Sequence, residues 1–227
     1  MIPGMTVKEI LAQLKSLGDP ARQKHNAKAG VPENQFGVKL GDIRTIAKQI
    51  KADHELALAL WNTGNVEAQL LAALIIKPKA LSDAELDALT RSTTCPQVAD
   101  WLNAYVVAQH PGKDALRERW MKPAEKDRWA ARAGWNLTAS RINKGGDGLD
   151  PAALLDRIAR ELPKAAPEVQ WTMNNTLAAI GIQHAALRKR AIAIGEKVGL
   201  YKDWPVSKGC TPPYVPVWVE EMVKRQK

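Results

Sequence analysis

The sequence predicts an all-α protein built as a stack of antiparallel helix pairs, and three observations carry that prediction. Apolar residues recur at three- and four-residue spacing through nearly the whole chain. No segment alternates apolar and polar residues as a half-buried strand would. Caps and breakers cut the chain into short helices whose pairs follow one another roughly every 30–45 residues, as in helical-repeat solenoids. Self-similarity is weak, so the repeat is one of spacing and not of a recurring word. Stacked pairs of this kind curve, and a concave side lined by alternate helices is expected.

Each element has a local reason. Thr6 and Glu9 form a capping box for a first helix with Val7, Ile10, Leu11, Leu14 and Leu17 on one face. Gly18, Asp19 and Pro20 stop it and start a second, which runs to about Gly30. Gly37 to Gly41 leads into a helix carrying Ile43, Ile46, Ala47 and Ile50. Asp53 opens another with Leu56, Leu60 and Trp61. Asn65 precedes Val66–Ile76, apolar nearly all round, which marks a central buried helix. Ser82 and Glu85 make a second capping box before Leu86 and Leu89. Cys95–Pro96 begins a helix expected to continue through His110, followed by Lys113–Met121 and Pro123–Ile142. The glycine-rich stretch Lys144–Asp150 lacks a preceding strand and a lysine after its glycines, so it is a turn and not a phosphate cradle. Pro151–Leu162, Glu168–Ile182 and Ala185–Val198 complete the set. Residues 1–199 are therefore expected to form one helical-repeat domain. The last stretch, 200–227, is rich in proline and aromatics, so an extended tail packed on the body is expected, closed by a short helix from about Pro216.

Composition narrows the function. With 227 residues, 45% of them apolar, a large core is within reach. No apolar run is long enough to cross a bilayer, and MIPGMTVKEI has no secretory pattern. Cys95 and Cys210 form no paired or metal-binding spacing, which suits a reducing cytoplasm. The net charge of +9 is uneven: +1 over residues 1–112, +5 over 113–145, −2 over 146–183 and +5 over 184–227. Such a field suits a polyanion, most often nucleic acid. Four single histidines without i, i+4 partners exclude a metal site of common type, and no cofactor motif is present. A monomer without cofactor, metal or membrane is expected.

Three helices hold the chemistry that remains. In DRWAARAGWNLTASRI (Asp127–Ile142), Trp129, Ala133, Asn136 and Ser140 run down one side. Arg128, Arg132, Trp135 and Ala139 run down the next, so the helix reads as half buried, with Arg132 reaching a surface. VADWLNAY (Val98–Tyr105) places Asp100 and Asn103 one turn apart. EVQWTMNNTLAAI (Glu168–Ile180) places Trp171 and Asn175 at i, i+4 with Asn174 beside them. Adjacent asparagines inside a helix disfavour it unless they bond to something.

Four segments resemble the DNA alkylation repair family of AlkD-type glycosylases, which are HEAT-like helical repeats: Phe36–Ile50, Asn65–Ile76, Trp101–Val106 and Arg128–Trp135. Their order and spacing together carry the resemblance over nearly all of residues 6–198. It implies a basic concave cleft, formed from residues 98–141 and 168–198, that embraces duplex DNA. It also implies hydrolysis of the N-glycosidic bond of N3- or N7-alkylated purines without base flipping. Arg132 matches the family's phosphate-holding arginine. The catalytic aspartate falls on Asn103, the tryptophan one turn before it on Ala99, and the later tryptophan on Asn175.

A carboxylate about 4 Å from a cation at an effective dielectric near 20 is worth roughly 4 kcal/mol. Its loss would slow the chemical step by about three orders of magnitude. Asp100, one turn earlier, is the group that would supply the charge, with Asn103 positioning water and Arg132 completing the catalytic set. Lys126, Arg128, Trp129, Trp135, Trp171, Asn174, Asn175, Arg188, Lys189 and Arg190 are the expected DNA contacts. Three readings stay open: an alkylpurine glycosylase, a non-excising DNA-binding relative, and a scaffold for an acidic protein partner.

Overall fold

The computed structural model describes residues 5–226, so the reading of Met1–Gly4 lies outside them. Among the described residues there are thirteen α-helices and no strand. They are α1 (Val7–Ser16), α2 (Pro20–Lys28), α3 (Leu40–Ile50), α4 (His54–Trp61), α5 (Val66–Ile75), α6 (Asp83–Arg91) and α7 (Pro96–Tyr105). Then come α8 (Lys113–Trp120), α9 (Arg128–Asn143), α10 (Pro151–Glu161), α11 (Pro167–Gln183), α12 (Arg188–Val198) and α13 (Val215–Arg225). The chain divides into two compact units between Asp114 and Ala115.

The first unit is centred on α5, which packs against α3, α4 and α7. Val66, Ala68, Leu70, Leu71, Ala72 and Ile75 are buried, as an all-round apolar pattern requires. Two polar side chains are buried with them. Glu67 is 2% exposed; its Oε2 accepts the Phe36 amide at 2.9 Å, and its Oε1 accepts those of Gly37 at 2.7 Å and Val38 at 3.2 Å. Gly37 has φ +75°, and a Cβ there would lie 2.5 Å from the Asp19 carbonyl oxygen, so glycine is required where this strip passes the start of α2. Gln69 accepts from Thr94 Oγ1 at 2.9 Å.

Helix α7 is shorter than the spacing predicts. Val106 leaves the helical region, a 3-10 turn follows at Val107–Gln109, and His110 is locked in place. Its Nδ1 accepts the Gly112 amide at 3.0 Å, which leaves Nε2 to donate to the Leu81 carbonyl at 2.9 Å. It is a satisfied core histidine. Cys95, at the start of α7, is buried, and that burial pushes its thiol up, away from the thiolate a nucleophile needs.

In the second unit α9 and α11, the two longest helices, pack along each other, with α10, α12 and α13 around α11. Trp135, Ile142, Leu155, Ile158, Met173, Leu177 and Ile180 form the core, each large side chain contributing about 1.5–3 kcal/mol of apolar burial. The single Thr176 Oγ1 proton is shared between the Thr172 carbonyl at 2.9 Å within α11 and the Trp135 carbonyl of α9 at 3.1 Å, where both helices are dry. Helix α9 begins at Arg128 and not at Pro123, because Asp127 Oδ1 accepts the Trp129 and Ala130 amides, both at 2.9 Å. That cap satisfies the first turn, and Lys122–Asp127 is left as a connecting turn.

Residues 200–214 run irregularly between α12 and α13. Two glycines then allow α13 to lie close. A Cβ on Gly195 would sit 2.8 Å from Val215 Cβ, and one on Gly181 2.9 Å from Val219 Cγ2. Val215 and Val219 are buried in the contact, and Asn174 Nδ2 donates to the Pro213 carbonyl at 2.8 Å.

Candidate nucleic-acid interface

The second unit carries the charge: 20 lysines and arginines against 12 aspartates and glutamates over residues 115–227, or +8 of the total +9. On α9 the arginines are placed by α11. Arg128 is exposed, with Nη1 3.2 Å from Glu168 Oε1 and its guanidinium over the Trp129 ring at 5.2 Å. Arg132, one turn on, is only 3% exposed and donates from Nη1 to the Glu168 carbonyl at 2.7 Å. The expected reach of Arg132 to the surface is therefore corrected: α9 and α11 lie so close that position 132 faces the first turn of α11. Trp129 and Trp135 are likewise core residues, at 6% and 2% exposure. Trp135 lies under Arg157, whose guanidinium is 5.1 Å from the ring, so neither indole offers a face to a ligand.

Beside these arginines is a recess of about 460 Å³, formed by the Lys122–Asp127 turn, α10 and the start of α11. Lys122, Lys126, Arg128, Arg157, Arg160 and Lys164 line it, against Glu125, Asp127 and Glu161. Lys126 and Arg128 are thus brought together as expected contacts. Arg157, Arg160 and Lys164 were not singled out from the sequence, because they belong to the stretch whose net charge is −2. The carboxylates that cancel them in the count lie partly elsewhere: Asp147, Asp150, Asp156 and Glu168 are not in the lining. The i, i+3 spacing of Arg157 and Arg160 on α10 is the signal that finds those two, while Lys164 lies past the helix end in a 3-10 turn.

A second recess, of about 390 Å³, follows the α9–α11 seam. Asn136, Ser140 and Asn143 line it from α9, Asn175 from α11 and Trp218 from α13; no carboxylate lines it. Asn175 Oδ1 is buried without a hydrogen bond from any described residue. Its neighbour Asn174 points away, to Pro213, so the adjacent asparagines have separate roles. Trp171 meets Tyr201 edge-to-face and Trp204 at a tilt, with centroids 5.4 and 5.9 Å away. Burial pushes the Tyr201 phenol above its ordinary value, and the nearby positive charge of Arg132 acts against it. Of the basic trio expected after α11, Arg188 donates to the Gly181 and Ile182 carbonyls at 2.9 and 3.1 Å, closing the end of α11. Arg190 pairs with Asp156, and Lys189 is exposed.

Asp100 and Asn103 belong to the first unit. Asp100 is exposed on α7, and Asn103 Oδ1 is buried without a hydrogen bond from any described residue. Trp101 packs against Tyr105 at 5.5 Å and under Arg44 at 4.6 Å. Among the described residues no three His, Cys, Asp or Glu side chains are grouped to hold a metal ion, and no helix is long and apolar enough to cross a membrane.

Comparison with known proteins agrees with this architecture. A solved structure described as a new family of proteins related to the HEAT-like repeat DNA glycosylases, with affinity for branched DNA structures, superposes with a TM-score of 0.79. It is 23% identical, and the match covers 98% of this chain and 95% of that one. The fold is thus that of the HEAT-like repeat glycosylases. The uncharacterised protein Lmo0209 of Listeria monocytogenes is 23% identical over 230 residues, covering 98% of this chain and all of that protein. The model of the DNA alkylation repair enzyme family matches residues 10–201, and with most of its length inside that match the chain belongs to this family.

Proposed function

We propose that this protein binds DNA through its second unit and does not excise bases. The carrying observation is the concentration of +8 in residues 115–227, with six cations around one recess. Lys126, Arg160 and Lys164 are exposed there and would take phosphates, which position a duplex without reading its sequence. Three features speak against excision. Asparagine stands at 103, where the resemblance places the catalytic aspartate. Amides, the Ser140 hydroxyl and Lys144, and no carboxylate, line the polar part of the α9–α11 seam. The Arg132 guanidinium is engaged with Glu168 below the surface. The affinity for branched DNA stated for the structural relative supports a preference for branched over linear duplex here as well.

The test is DNA binding as a function of salt. If about five phosphates are contacted, affinity falls by roughly two to three orders of magnitude between 50 and 200 mM salt. The triple variant Lys126→Ala, Arg160→Ala, Lys164→Ala should weaken binding and make the log–log slope shallower by about 3. A slope unchanged in that variant refutes the assignment of the recess. Release of 3-methyladenine or 7-methylguanine from alkylated DNA, lost in Asp100→Asn, would replace this proposal with the glycosylase reading.

A further inference from the structure

We infer that Trp171, Tyr201 and Trp204 form a stacking platform for an unpaired nucleobase at a strand end or branch; this rests on the DNA-binding reading above. The three rings close a triangle, with Tyr201 and Trp204 5.1 Å apart at 83° and both against Trp171. Each ring is fixed by the other two, so its orientation is set before a ligand arrives.

The backbone is bent to make this triangle. Gly199 and Tyr201 both have left-handed φ, at 66° and 63°. Lys202 N donates to the Gly199 carbonyl at 3.3 Å and Trp204 N to the Tyr201 carbonyl at 3.2 Å. A tyrosine in that conformation is held against its own preference. The turn brings residue 204 back onto Trp171.

A purely sealing role does not account for Trp204. Nearly half of its surface, 47%, faces solvent, more than for any other large apolar side chain described. The surroundings select the ligand. Lys202 and Lys208 are exposed in the same segment, with Asp203 as the opposing charge. An apolar peptide would use the rings and leave the cations idle. A nucleotide uses both, through its π face and its phosphate. A base inside a duplex has both faces covered, so the occupant is one that has lost a stacking neighbour.

The experiment compares a blunt duplex with the same duplex carrying a short single-stranded overhang, by fluorescence anisotropy at fixed salt. Trp204→Ala should weaken overhang binding about tenfold and leave blunt-duplex affinity and both salt slopes as in the wild type, because no phosphate contact is removed. Trp204→Phe should restore part of the loss. A 2-aminopurine in the overhang should change its emission on binding wild type and not on binding Trp204→Ala. Equal losses on both DNAs, or no loss on either, overturn the platform while the DNA-binding proposal stands. Wild-type protein that binds neither DNA overturns the DNA-binding proposal and the platform with it.

Discussion

Replacing Glu67 with glutamine should destabilise the first unit more than its conservative shape suggests. The carboxylate is 2% exposed, and taking such a charge out of water costs several kcal/mol unless it is repaid by bonds. Here Oε2 receives the Phe36 amide at 2.9 Å, and Oε1 those of Gly37 and Val38 at 2.7 and 3.2 Å. Its position in the first turn of α5 adds the favourable end of the helix dipole. A hydrogen bond to a charged acceptor contributes about 1.5–3 kcal/mol net. Glutamine retains one acceptor oxygen and turns an amide donor toward a backbone N–H, so at least one buried donor loses its partner. Relief of desolvation offsets part of that, leaving a loss of about 2–3 kcal/mol for Glu67→Gln. Glu67→Ala, which strands three donors, should lose more. Urea denaturation followed by far-UV circular dichroism at pH 7 measures it. DNA affinity of the folded variant should be unchanged, since the cations lie in the other unit. A loss below about 0.5 kcal/mol would refute the view that this carboxylate holds the 36–38 strip.

Two further outcomes follow from the contacts. Gly195→Ala places a Cβ 2.8 Å from Val215 Cβ, and the clash, about 1–3 kcal/mol, should outweigh the gain in helix propensity of about 1 kcal/mol; thermal denaturation should show a lower Tm, and an unchanged or higher one would mean that α13 is not docked there. Glu9 is held below the ordinary glutamate range by hydrogen bonds from the Thr6 backbone and side chain, and Glu85 in the same way by Ser82. A depressed folded-state value means stability that is present above the ordinary value and lost as pH falls through the depressed one. Denaturation from about pH 5 to about pH 3 should therefore fall less steeply in the double variant Glu9→Gln, Glu85→Gln than in the wild type.

What local sequence can specify was legible. The capping boxes at Thr6 and Ser82, the caps at Asp53 and Asn65, the buried face of α5 and the all-helical class follow from spacing and from groups a few residues apart. Helix ends that depend on distant partners were not. α7 stops at Tyr105 because His110 binds Leu81, a residue 29 positions away.

The site divides along the same line. Sequence alone determined the charge surplus of residues 115–227, the asparagine at 103 and the presence of Arg132 and Trp171 on helices. Tertiary structure decided that Arg132 binds the Glu168 carbonyl instead of reaching solvent, that Trp135 is core, and that Trp204 folds back onto Trp171. A helical period states which side chains share a face. Which of those faces meets another helix is set by packing between segments tens of residues apart, and no local pattern encodes it.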